Sequence, residues 1–93
     1  LVTAKEGVTF KVQIAATAKA IETKPNNFKG LRNITREKEG GLYKYFYGNT
    51  TNYENIRTME EEAMKKGYKT SFIVAFKDGK KISITEALKT TTN

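Results

Sequence analysis

The 93-residue chain has no cysteine, no histidine and no tryptophan, and a single proline, Pro25. Without cysteine there is no disulfide staple. Without either cysteine or histidine the usual zinc-ligand sets and the commonest general base are also missing. No apolar run approaches the roughly 20 residues that a membrane-spanning helix requires, and no signal-peptide pattern opens the sequence. Acidic side chains are scarce beside basic ones, 10 against 17, for a net charge of +7. That excess suits an anionic partner, yet the basic residues are spread over both halves, as on an ordinary solvated surface. The length supports one domain with one modest core.

What the chain does have is aromatic bulk in extended patterns. Gly40-Gly41-Leu42-Tyr43-Lys44-Tyr45-Phe46-Tyr47-Gly48 reads as a strand bounded by glycines, because Tyr and Phe fit a pleated, half-buried surface. A period of two puts Tyr43, Tyr45 and Tyr47 on one face and Leu42, Lys44 and Phe46 on the other. Thr9 to Ala16 alternates in the same way. Phe10, Val12 and Ile14 are expected to face the core, and Lys11, Gln13 and Ala15 the opposite side. The Gly40-Gly41 pair predicts a hairpin joining an exposed edge strand at roughly residues 33–39 to the 42–47 strand.

Pro25 starts a short helical turn that Gly30 stops. Thr51 and Glu54 have capping-box spacing for a helix that runs to Lys66 and ends at Gly67, with Tyr53, Ile56, Met59 and Ala63 as its apolar stripe. Ser71–Phe76 is an apolar strand, Asp78-Gly79 a tight turn, and Lys81–Ile84 a short returning strand, after which Thr85 caps a last helical turn. Residues 8–88 form the expected domain, with 1–7 as a linker end and 89–93 as a tail. The abrupt start at Leu1 and the threonine-rich end read as a module of a longer protein.

This order predicts an α+β fold of the split βαβ (ferredoxin/RNP-like) type, βαββαβ. It is an antiparallel sheet with helices on one face and a C-terminal β extension. The uncovered face then carries Lys11, Gln13, Ala15, Leu42, Lys44, Phe46 and Phe72, and it is where function is expected. Catalysis finds little support. Glu37 and Glu39 share a face of an edge strand and read as solvated charge, and Glu60-Glu61-Glu62 lies on the exposed side of a helix. No cofactor or metal is expected. Gln13 offers a donor and acceptors to a polar ligand such as a sugar, and Lys44 beside it suits a carboxylate or phosphate. With Leu42, Phe46 and Phe72 on the same face, the set reads as a ligand groove.

At Phe10–Ala16 and Gly41–Gly48 the chain resembles the SPOR (sporulation-related repeat) domain. That family carries an aromatic-x-Val-Gln-Val-Gly/Ala strand, a Tyr-Arg-Val-x-Val-Gly strand, and a helix ending in Ala-x-Gly-Tyr before a final strand. Here the helix ends in Met64-Lys65-Lys66-Gly67-Tyr68. The ending Ala75–Ser83 is similar to a variant in envelope proteins of the Bacteroides group, some fused to cell-wall amidases. The resemblance spans roughly residues 8–88. It implies non-catalytic binding of peptidoglycan, especially glycan strands stripped of stem peptides, through the open face of the sheet. The family's first-strand glutamine falls on Gln13, its basic third-strand residue on Lys44, the large residue two before it on Leu42, and an apolar final-strand contact on Phe72. Departures lie at Ala16 and Thr17, where the family often has Ser or Phe, and in a first helix reduced to the Pro25–Gly30 region.

The resemblance also implies a periplasmic or cell-envelope location. It points to a monomeric domain that targets a larger protein to septal or remodelled wall, with no membrane contact of its own. Removal of a stem peptide frees the lactyl carboxylate of muramic acid, which suits Lys44 and Lys11, and an acetamido group suits Gln13. The other reading is a single-stranded nucleic-acid binder of the RRM type, which needs solvent-facing rings on the central strands. The parity of the tyrosines speaks against it, and no nucleic acid is expected as a partner.

Overall fold

Alternating burial along the longest strand sets the layering of the molecule. In the computed structural model, which describes residues 2–90, strand β2 (Val8–Thr17) buries Val8, Phe10, Val12 and Ile14 and leaves the residues between them half-exposed. The elements in order are β1 (Val2–Ala4), β2, a 3-10 turn (Pro25–Asn27), β3 (Ile34–Glu39), β4 (Leu42–Thr50), α1 (Tyr53–Lys65), β5 (Phe72–Lys77), β6 (Lys80–Ile82), α2 (Ile84–Ala87) and β7 (Leu88–Thr90). Five strands form one sheet in the order β3-β4-β2-β5-β6, and every neighbouring pair is antiparallel. The molecule is a small α+β domain.

The two hairpins follow from their turns. Gly40 and Gly41 have φ of 58° and 84°, and Asp78 and Gly79 have 51° and 79°. These are the paired positive values that a two-residue turn needs to match strand twist. The first hairpin pairs Glu39 with Leu42 and Ile34 with Tyr47, as its sequence predicts, and β3 lies at the sheet's edge with all but Ile34 exposed.

Helix α1 packs on the sheet face that carries Phe10, Val12, Tyr45, Tyr47 and Ala75. It contributes Ile56 and Ala63 to the core, and the Tyr53 ring meets that of Phe10 edge-on at 5.5 Å. Its cap lies one residue later than the Thr51–Glu54 spacing predicts. The Asn52 side chain accepts from the Asn55 backbone N–H at 3.0 Å, while Thr50 Oγ1 accepts from the Asn52 N–H. Asn is the stronger cap and reaches the third helical amide directly. At the other end Gly67, with φ of 114°, lets the Tyr68 N–H bond back to the Ala63 carbonyl and close the helix. The last helix is capped by Ser83 rather than Thr85. Ser83 Oγ accepts from the Glu86 N–H and donates to the Glu86 carboxylate, both at 3.1 Å. Ala87 from this turn joins the core.

Between β2 and β3 the chain forms no α-helix, only the 3-10 turn at Pro25. Phe28, Leu31 and Ile34 nevertheless bury their side chains and join the core cluster. The ends of the domain differ from the expected linker and tail. Val2–Ala4 pairs antiparallel with Leu88–Thr90, and the Lys5 N–H donates to the Ala87 carbonyl at 2.8 Å. Of those segments, residue 1 and residues 91–93 lie outside the described residues.

Burial raises the phenol pKa of Tyr47 and Tyr68 above the ordinary value, and the Glu62 carboxylate adds to the rise at Tyr47. A phenol with a raised folded pKa stabilises the fold below the unfolded pKa, and that contribution is lost as pH rises through the folded one. Stability should therefore hold up to about pH 10, the free-tyrosine range, and fall above it. Urea midpoints between pH 8 and 11.5 check this, and a midpoint that rises above pH 10 would contradict it.

Candidate functional site on the uncovered sheet face

The site is built from side chains that point away from α1 and α2. Strand register sets the rows. Thr35, Phe46, Gln13 and Phe72 lie side by side across β3, β4, β2 and β5. Next to them Glu37, Lys44 and Ala16 form a second row, and on the other side Lys11 pairs with Val74, then Thr9 with Phe76 and Phe76 with Lys81. Among the described residues no helix belongs to this side. The core cluster that contains the helical residues takes in neither Phe46 nor Val74, although both are only 3% exposed.

Gln13, Lys11, Lys44, Leu42, Phe46 and Phe72 therefore share the face on which alternation places them. Ala15 does not. Between Gln13 and Ala15 the register slips, because β2 advances two residues while β4 advances only from Phe46 to Tyr45. The extra residue is a β-bulge, which resets the parity of the strand beyond it. Ala15 thus pairs with Tyr45 and packs against the core, and Ala16, paired with Lys44, takes its expected place.

The seven expected residues also differ in what they can touch. Phe72 and Leu42 are 45% and 42% exposed, unusual for large apolar side chains, whereas Phe46 is closed off by its own neighbours. The Phe76 ring meets the Phe46 ring edge-on at 5.8 Å, and Lys11 Nζ lies 5.5 Å and 5.3 Å from the two ring centres. Phe46 is therefore the floor of the face and not one of the groove's contact surfaces. Phe76 and Val74 complete that floor. Their alternation with Phe72 along β5 was the signal that they belong to it.

Two polar groups give the face its chemistry. Gln13 Oε1 is buried and has no hydrogen-bond partner. Such an orphaned acceptor costs free energy in the unliganded protein. Lys44 Nζ donates to Glu39 Oε1 at 2.9 Å, with the Lys44 side chain 19% exposed and that of Glu39 61% exposed. The hydrogen bond from Lys44, its charge, and to a lesser degree the charge of Lys81 hold the Glu39 carboxyl below the usual carboxylate range. Glu39 and Glu37 thus belong to the face, where they offset part of the positive charge of Lys11, Lys44 and Lys81.

The opposite side of the β3–β4 hairpin has a different character. Arg36 and Lys38 lie 5.5 Å and 5.6 Å from the Tyr43 ring centre, and Arg36 donates to the Ile21 carbonyl. An open groove there is lined by Glu22, Thr23, Lys24 and Arg36. It holds none of the residues that the sequence singles out. Comparison with known proteins found no matching family model, no matching curated protein and no matching solved structure.

Proposed function

We propose that this domain binds, without catalysis, bacterial peptidoglycan glycan strands that have lost their stem peptides, and so directs an envelope protein to septal or remodelled wall. The observation that carries the reading is Gln13. Its buried, unpartnered Oε1 lies on a helix-free face, in the same row as the exposed Phe72. The terminal amide torsion is broad and two-fold, so a half-turn about it exchanges the carbonyl and the NH2 and presents either one to an acetamido substituent. Phe72 and Leu42 offer apolar area for the carbon face of a sugar ring, and Lys11 and Lys44 offer charge to a lactyl carboxylate. We read the fold in the same sense. The order β3-β4-β2-β5, with α1 between β4 and β5, suits a split βαβ core extended by β6, the first crossover having lost its helix.

RRM-type recognition fits less well. Stacking bases needs open rings on β2 and β4, but β2 presents Lys11 and Gln13 there, and Phe46 of β4 is buried.

The test is sedimentation of the wild type, Gln13→Met and Phe72→Ala with intact sacculi, amidase-treated sacculi and oligo-RNA. Wild type should pellet with amidase-treated sacculi above all. Gln13→Met keeps the side-chain volume and removes the orphaned acceptor, so its melting temperature should hold or rise while sugar binding falls roughly 10- to 100-fold. Phe72→Ala should also weaken binding with little effect on stability. A Gln13→Met protein that pellets like wild type would remove the basis for the proposal, and preferential capture of RNA would replace it.

A further inference from the structure

We propose that Glu39 is a built-in stand-in for the ligand's carboxylate, so that Lys44 is surrendered only to an anion able to displace it. This rests on the glycan reading above and adds a residue that sets its selectivity. Lys44 is a partly desolvated cation of this face, its side chain 19% exposed, and its ammonium is already occupied by a carboxylate oxygen at 2.9 Å. The occupant is held loosely. Glu39 is the last residue of edge strand β3, next to the Gly40-Gly41 turn, and most of its side chain is in water. An exposed pair of this kind is weak and readily exchanged. Its charge makes it a competitor for an anionic ligand, whereas a neutral sugar has no use for the position.

Glu37 provides the comparison. It faces Lys44 across the hairpin register, carries the same charge and is equally part of this face. Lys44 nevertheless makes its ion pair with Glu39. If removal of any negative charge sufficed, the two glutamates would be equivalent. If Glu39 occupies the ligand's place, only its removal vacates that place.

The probes are a muramic-acid-bearing tetrasaccharide lacking stem peptides and chitotetraose, which has the same acetamido sugars without the carboxylate. Calorimetric titration of Glu39→Gln should show roughly two- to five-fold tighter binding of the muramyl probe, the size expected for releasing one exposed ion pair. Binding of chitotetraose should be unchanged. Glu37→Gln should gain clearly less, and Glu39→Gln combined with Lys44→Gln should lose the gain. Wild-type binding with no gain in Glu39→Gln, or an equal gain in Glu37→Gln, overturns the role of Glu39 and leaves the glycan reading intact. If no variant binds either probe, the glycan reading fails and this inference falls with it.

Discussion

Replacing Tyr45 with phenylalanine should cost about 1–3 kcal/mol of stability, and replacing it with alanine about 3–5 kcal/mol, although the residue touches neither solvent nor the proposed ligand. Tyr45 is fully buried, and its ring packs against Phe28 with centroids 5.1 Å apart. Its hydroxyl is the junction of the segment that connects β2 to β3. It accepts from the Ile21 N–H at 2.8 Å, shares a 2.9 Å hydrogen bond with Thr17 Oγ1, and reaches the Lys19 carbonyl at 3.4 Å. Phenylalanine keeps the ring but strands those groups, and a stranded polar group costs more than a made bond contributes. Alanine also opens a cavity under Phe28. Urea denaturation measures both losses, and amide exchange should locate the phenylalanine effect at Ile21 and its neighbours. A phenylalanine variant as stable as wild type would mean that packing alone holds the crossover.

The second large effect is expected at Gly48, where alanine should lower stability by about 1–3 kcal/mol. The residue lies in the β4 bulge between the Phe10–Thr50 and Val12–Tyr47 pairs, with φ of +80°. A side chain is strained at that angle, and here an added Cβ must also push aside the flexible end of Met59. An added Cβ would stand 2.6 Å from Met59 Sδ and 3.4 Å from Ile56 Cδ1, on the face of α1 that packs on the sheet. Gly41 separates the two causes. Its φ is +84° but nothing lies within 4 Å of an added Cβ, so Gly41→Ala should show the backbone strain alone, about 1–2 kcal/mol. Thermal melting of the two variants side by side tests this. Equal losses would mean that Met59 moves aside at no cost.

Much of this architecture was legible because it depends on neighbours in sequence. The Gly-Gly and Asp-Gly turns, the alternation of β2 from Val8 to Ile14, the inward tyrosines of β4 and the stripe of α1 are local patterns, and each is present as they predict. Even the cap positions missed only by one or two residues, since Thr, Asn and Ser compete for the same role over a few positions. The open face and most of its residues follow from the same parity.

What tertiary structure alone decided is where that parity breaks and which side chains are already engaged. The bulge that turns Ala15 inward lies just beyond Gln13, the last β2 residue paired with β5, where β2 runs on against β4 alone, and no run of residues in β2 announces it. Phe46 is buried because Lys11 and Phe76, from two other strands, close over it. Lys44 meets Glu39 because the hairpin twist brings diagonal neighbours together, and Val2–Ala4 becomes a strand only because Leu88–Thr90 returns to it. A period of two or 3.6 is a property of the chain, but contact between distant segments is a property of the folded sheet. The composition of the face is therefore written in the sequence, and the availability of its groups to a ligand is not.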